Sequence, residues 1–455
     1  MVRGLLPLGA ALLGATAVLA VDPPSCALDK KCPQEAPCCS QYNQCGVGAY
    51  CLGGCDPRMS FSLDSCVPAP VCQDKVYKMG SLDRYKDIGE YLGDPKEADW
   101  VGQGEPLAHN GNMLLTMPPK SVGTVLASTT YMWYGNVKAK LKTARGAGVV
   151  TAFILFSDVK DEIDWEWVGV DLHTAQTNYY FQGIPNYDNS KNITTADSYD
   201  EFHEYEIQWT PDEIKWLVDG KVGRTKKRSE TWNSTSNQWA FPQTPSRVQL
   251  SIWPGGLATN AKGTIDWAGG EIDWNSDEIK HYGYYFATFG EISVECYKTN
   301  TAPGTNKGVS YYYNDISATN NTVVDSKKPT ILKSFLATGT DMNKGDGTSS
   351  GGASSSSGVH AVPGGGASPP GQVPGGGNAG AGSGSGSGSS GGSGNSGNSG
   401  SGNGGSRNCD ASEFTQNCGQ NTGDTGTNPN TASTERALGA SAFAVIIGIA
   451  GLLLL

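Results

Sequence analysis

Between about Val76 and Val324 the chain alternates apolar and polar residues far more than it repeats them every three or four positions. Segments such as Val149 to Phe156, Tyr205 to Trp209, Lys215 to Val218 and Val248 to Trp253 are short and rich in β-branched and aromatic residues. Turn signals punctuate them, among them Asp219-Gly220 and Pro254-Gly255-Gly256. This pattern predicts an all-β sandwich.

One segment adds chemistry to the pattern. Asp161-Glu162-Ile163-Asp164-Trp165-Glu166-Trp167-Val168-Gly169 has a period of two. On a strand, Ile163, Trp165 and Trp167 face one side, and Glu162, Asp164 and Glu166 face the other. The apolar side suits a core. The acidic side sets three like charges in a row, with no Lys or Arg within the segment to relieve them. Such crowding raises at least one carboxyl pKa, which suits an acid/base catalyst. A calcium site and simple solvation are the competing readings of clustered carboxylates.

The pattern breaks at both ends of the chain. Residues 1–20 read as a secretory signal, with Arg3 ahead of an apolar run from Leu12 to Leu19 and small residues before the expected cleavage. Residues 326–430 are expected to be a Gly/Ser-rich stalk; from Gly345 to Arg407 almost nothing apolar is available to bury. Residues 431–455 end in an apolar tail from Ala440 to Leu455, preceded by small residues at Asn430-Thr431-Ala432. That order fits a glycosylphosphatidylinositol signal with attachment at Asn430, a single tail-anchor helix being the alternative. Together these ends predict a eukaryotic protein outside the cell, held at the outer face of the plasma membrane or in the wall, touching membrane only through its lipid.

Composition narrows the partners. A net charge of -11, without a Lys/Arg stripe, argues against nucleic acid. The short run Lys226-Lys227-Arg228 is read as a solvated loop. Asn192, Asn233 and Asn320 open glycosylation sequons. No cofactor or metal is expected, and the chain is expected to be a monomer.

Nine of the twelve cysteines lie between Cys26 and Cys72. A segment so small cannot be stabilised by core burial alone, and in an exported chain the density predicts a disulfide framework over 21–72 rather than zinc. Cys26, Cys32, Cys38, Cys39, Cys45, Cys51, Cys55 and Cys66 are its candidates. An odd count leaves open whether Cys72 pairs with Cys296 in the second domain. Within this module, Cys38-Cys39-Ser40-Gln41-Tyr42-Asn43-Gln44-Cys45-Gly46 with Tyr50-Cys51 resembles the hevein-type chitin-binding domain. The resemblance implies that Tyr42 and Tyr50 stack on N-acetylglucosamine rings and that Ser40 bonds the acetamido group. A purely structural knot is the alternative.

The segment Glu162-Ile163-Asp164-Trp165-Glu166 also resembles the ExDxE signature of glycoside hydrolase family sixteen, a β-jelly-roll family. Its flanks, with Gln176-Thr177-Asn178-Tyr179-Tyr180, Phe202-His203-Glu204-Tyr205 and Ser251-Ile252-Trp253-Pro254-Gly255-Gly256, are similar to the fungal Crh branch. That resemblance implies a jelly-roll catalytic domain over 73–325 and a retaining transglycosylase that links chitin to β-1,3/β-1,6-glucan. It implies Glu162 as nucleophile, Glu166 as general acid/base and Asp164 as an auxiliary group between them. Retaining carboxylates stand about 5–5.5 Å apart. Four strand residues span about 13 Å, so the two side chains must lean together across a curved sheet. Gln176 and Asn178 are expected to contact sugar hydroxyls. Trp253 and Trp267 are expected either to build an acceptor platform or to pack in the core, and His203 to be structural. A hydrolytic glucanase or chitinase and a non-catalytic chitin-binding wall protein remain as alternatives.

Overall fold

The computed structural model describes residues 23–345. The sequence motifs expected beyond these limits, the leader, most of the stalk, Asn430 and the apolar tail, lie outside the described residues.

Two eight-stranded sheets face each other as a β-jelly-roll sandwich. One runs, in spatial order, Lys191–Thr194, Thr174–Tyr180, Glu162–Val168, Val149–Ser157, Ser246–Pro254, Thr124–Ser128, Trp100–Gln103 and Tyr85–Asp87. The other is built around Gly135–Lys142 and Tyr285–Cys296, with His203–Trp209 and Glu213–Val218 beyond the first of them. Gly135–Lys142 shows why the sheets pack as they do. Val137, Ala139 and Leu141 point into the core, while Lys138 and Lys140 alternate outward. Val149–Ser157 is buried along its whole length, as a strand covered on both faces must be.

Each anticipated strand is present: four run one to three residues further than their apolar runs, and the acidic one, Glu162–Val168, stops one residue short at each end. At the expected hairpin, Asp219 and Gly220 both take positive φ (49° and 75°) between Glu213–Val218 and Lys221–Lys227. Two helices were not anticipated, Lys262–Trp267 and Asp277–Tyr282, each of six residues. A helix that short completes too few turns to print a 3.6-residue period.

The cysteine framework closes as Cys26–Cys39, Cys32–Cys45, Cys38–Cys51 and Cys55–Cys66, and Cys72 pairs with Cys296. The module is not a separate body, which corrects the expected boundaries. Tyr50, Cys51 and Leu52 share one apolar cluster with Tyr91, Val101 and Ala127 of the sandwich and with Leu332 and Ala337. The ordered chain therefore continues past 325, because residues up to 345 close over the back of the module. Gly48 N–H donates to Ala337 O (2.9 Å) and Gly339 N–H to Ser65 O (2.8 Å).

The tight turn from Ser157 to Asp161 joins module and sandwich. Lys160 takes a positive φ of 66° there. Asp158 accepts hydrogen bonds from Tyr131 Oη (2.6 Å) and from Gly54 N–H of the module (2.8 Å). Asp161 accepts from Gln182 N–H, Gln243 N–H, Thr244 N–H and Thr244 Oγ1. Burial nevertheless pushes each of these carboxyls up to about 6. The fold thus prefers both in the neutral form. Their stabilising contribution is complete below the ordinary value of 3.8 and is lost as pH rises through about 6. Thermal unfolding should therefore fall by about 5 °C between about pH 5 and pH 7.5, and Asp158→Asn should shrink that fall. Calorimetry across this range would refute the assignment if the midpoint rose or stayed level.

Candidate functional site

The Glu162–Val168 strand owes its place to its apolar face. Trp165 and Trp167 stack with ring centroids 6.0 Å apart, and Tyr205 of the opposite sheet meets both edge-on. Trp216 reaches through from the same sheet to donate its Nε1–H to the Asp164 carbonyl (3.0 Å). With that face locked, alternation sends Glu162, Asp164 and Glu166 to the outer face.

Register then fixes their neighbours. Glu162 lies opposite Tyr180 on one side and Phe156 on the other; Asp164 lies between Asn178 and Ile154, and Glu166 between Gln176 and Ala152. All three carboxylates are deeply set, at 4, 1 and 6% exposure. Glu162 and Glu166 both line one cavity of about 60 Å³, with Gln249, Ser251 and Trp253 of the next strand but one.

The electrostatics follow from that burial. Burial raises Glu162 far above the ordinary carboxylate range, and the charges of Asp164 and Glu166 push the same way. Asp164 rises to about 7, again through burial, with Glu162 and Arg224 pulling it back. Glu162 and Asp164 are hydrogen-bonded to each other. No N–H or hydroxyl among the described residues reaches either Asp164 oxygen. Two carboxyls can bond in this way only with a proton between them; the pair's first proton leaves at about 7 and the other is held more tightly.

Among the residues proposed to contact sugar, Gln176 and Trp267 are half-exposed and joined, Trp267 Nε1–H donating to Gln176 Oε1 (2.8 Å). Trp253 stacks against Trp267 at 5.8 Å between centroids, while its own surface is almost wholly covered. These three make an aromatic shelf beside Glu166. Asn178 is otherwise engaged: its Nδ2 donates to Tyr180 Oη (2.8 Å), its Oδ1 accepts from Tyr179 N–H (2.9 Å), and it is buried. It braces the floor of the site, which corrects the expectation of a direct sugar contact. His203 bonds Asp219 (2.8 Å) in the other sheet, as a structural residue would.

The module's expected sugar-stacking face is also corrected. Ser40, Tyr42 and Tyr50 are only 2, 5 and 2% exposed. Tyr50 packs so closely over Gly46 that a Cβ there would lie 2.3 Å from its ring. Tyr42 is turned into the sandwich, its Oη donating to Gln103 Oε1 (3.2 Å). Neither ring offers the open face that stacking on a sugar requires. Of the sequons, Asn192 and Asn233 are exposed, but Asn320 donates its Nδ2–H to the buried Tyr134 hydroxyl (3.3 Å), where a glycan would displace it.

Several contributors went unread in the sequence. Gln41, Gln103, Gln249 and Ser251 line the cavity, from three separate stretches of chain. Arg224 lies under the floor, over the Trp216 ring (4.4 Å) and bonded to Thr177 O (2.9 Å). Burial pulls its guanidinium down to about 10.

Comparison with known proteins identifies the family. The model of "Glycosyl hydrolases family 16" matches residues 94–269. Crh-like protein 3 of Botryotinia fuckeliana is 64% identical over 338 residues, covering 74% of this chain and 76% of that protein. Congo red hypersensitive protein 2 of Saccharomyces cerevisiae is 44% identical over 331 residues, covering 71% and 70% respectively. A solved structure described as an apo Crh5 transglycosylase is 28% identical, covers 60% of this chain and 100% of its own, and has a TM-score of 0.48. The chain belongs to glycosyl hydrolase family 16, among its Crh-like proteins.

Proposed function

We propose that this protein is a retaining transglycosylase of the fungal wall that cleaves β-1,4-linked chitin and transfers it to β-1,3/β-1,6-glucan. The observation that carries the reading is the shared face of Glu162 and Glu166 on one cavity, with Asp164 bonded to Glu162 between them. A Glu162 oxygen attacks the anomeric carbon as the glycosidic C–O bond breaks, and Glu166 delivers its proton to the leaving oxygen. In the second half, Glu166 takes the proton of an acceptor hydroxyl; the acceptor oxygen bonds to the anomeric carbon and Glu162 leaves as carboxylate. Glu162 and Asp164 share one proton, and Asp164 takes it up as Glu162 attacks. Trp267 and Gln176 receive the acceptor, a role that their partial exposure supports. The disulfides support an oxidising compartment, which fits secretion and a lipid anchor.

The test is incubation of the secreted chain with chitin oligomers and a fluorescent β-glucan acceptor, followed by sizing of labelled products. Chimeric products longer than the acceptor are expected, whereas reducing-end release alone would support a hydrolase instead. Glu162→Gln and Glu166→Gln should each lower the transfer rate, by about 10³-fold or more and about 10²–10⁴-fold respectively. Full activity in Glu162→Gln would end the proposal.

A pH profile tests Asp164. The pair's first proton leaves at about 7 and Glu162 holds the second more tightly, so kcat/KM should rise as pH climbs through about 7, where Glu162 can attack with one proton still shared. Asp164→Asn keeps a donor that cannot titrate. It should lower the rate by about 10-fold or more and move that rise to lower pH, and an unmoved rise in this variant would assign that limb to another group.

A further inference from the structure

The cavity at Glu162 and Glu166 is not closed by the sandwich alone. Its remaining wall is the turn from Ser40 to Gln44 of the cysteine-rich module, which puts Gln41 and Tyr42 among the lining residues. Gln41 Oε1 accepts from Arg247 Nη2 (3.1 Å) and from Gln249 Nε2 (3.3 Å), both on the cleft face of Ser246–Pro254. Tyr42 reaches across to Gln103. Together they close one end of the cavity onto which Glu162 and Glu166 open.

The seating of this turn is that of a permanent part. Arg58 Nη2 donates to Val159 O (2.8 Å), Lys160 Nζ to Asn43 Oδ1, and Gly54 N–H to Asp158. A Cβ at Gly53 would lie 2.4 Å from Arg247 Nη1, and one at Gly48 would lie 2.4 Å from Phe335 O. The module is therefore gripped in front by the sandwich and behind by residues 335–339, with four internal disulfides holding its shape. On the opposite side of the carboxylates, Gln176 and Trp267 remain half-exposed.

Resting on the transglycosylase reading, we infer that Gln41 and Tyr42 are specificity-determining residues of the catalytic cleft. They form an end wall that limits how many sugar residues of a β-linked chain bind on the Gln103–Gln249 side. A saccharide then extends freely only towards Gln176 and Trp267. The module acts as part of the active site rather than as a tether to distant polymer.

The experiment uses the full secreted chain with chitin oligomers and β-1,3-glucan oligomers in graded lengths, reading KM and kcat for each. In the wild type, KM for one of the two partners should stop improving at a short length. Tyr42→Ala and Gln41→Ala should each move that plateau outward by at least one sugar and lower KM for the longer chains several-fold. Gln41→Ala removes less volume, so it carries the test should Tyr42→Ala fail to fold, as thermal unfolding would reveal. A plateau unmoved in folded variants overturns the inference. So does an equal rise in kcat at every length, which would mark the turn as a removable plug. A wild type inactive on every pair would overturn the transglycosylase reading beneath it, and this inference with it.

Discussion

Three carboxylates in a row on one strand are a destabilising arrangement, and what tolerates it is the tryptophan face on the other side of the same strand. Burying Trp165 and Trp167 against Tyr205 fixes the strand in depth, rotation and register. Large aromatic truncations in such a core cost about 3–5 kcal/mol each, enough to oppose the repulsion and desolvation of the acidic face. Period two couples the faces rigidly. Slipping the strand by one residue would exchange tryptophans for carboxylates, so the arrangement admits no intermediate register.

That coupling explains why so much was legible in the sequence. Alternation identified the strand, assigned each residue to its face and brought the acidic trio together. It also located the core strands, since Val149–Ser157 is a nearly continuous apolar run and Ser246–Pro254 alternates Val248, Leu250 and Ile252 with polar residues. The ends of strands were less visible: Ser157 and Ser246 continue the ladder through backbone bonds alone, and their side chains carry no signal. Long-range placement was invisible for a similar reason. Gln41, Gln103 and Gln249 are ordinary glutamines until the fold sets them around one cavity.

The module marks where resemblance and environment part. The cysteine spacing was informative because it is a local constraint, and eight of the cysteines do pair within it. Sugar stacking by Tyr42 and Tyr50 requires exposure, a property of the docked whole. Leu332 and Ala337, in a stretch that read as the start of a linker, bury Tyr50 from behind. Composition averaged over a long Gly/Ser-rich region hid two apolar residues that decide how the module sits.

Docking and chemistry meet in the handling of water. A glycosyl-enzyme is consumed by whichever hydroxyl reaches it first, and water is the more abundant. Selecting a sugar therefore depends on leaving water little room while giving the acceptor a surface to bind. Tyr42 and Gln41 wall off one end of the space around Glu162 and Glu166, and Trp253 and Trp267 supply the apolar shelf beside it. The same dryness raises the proton affinity of Glu162 and Asp164, so that one proton stays between them. Exclusion of water and retention of that proton thus have a single physical origin, the desolvation of a strand whose other face is anchored by tryptophan.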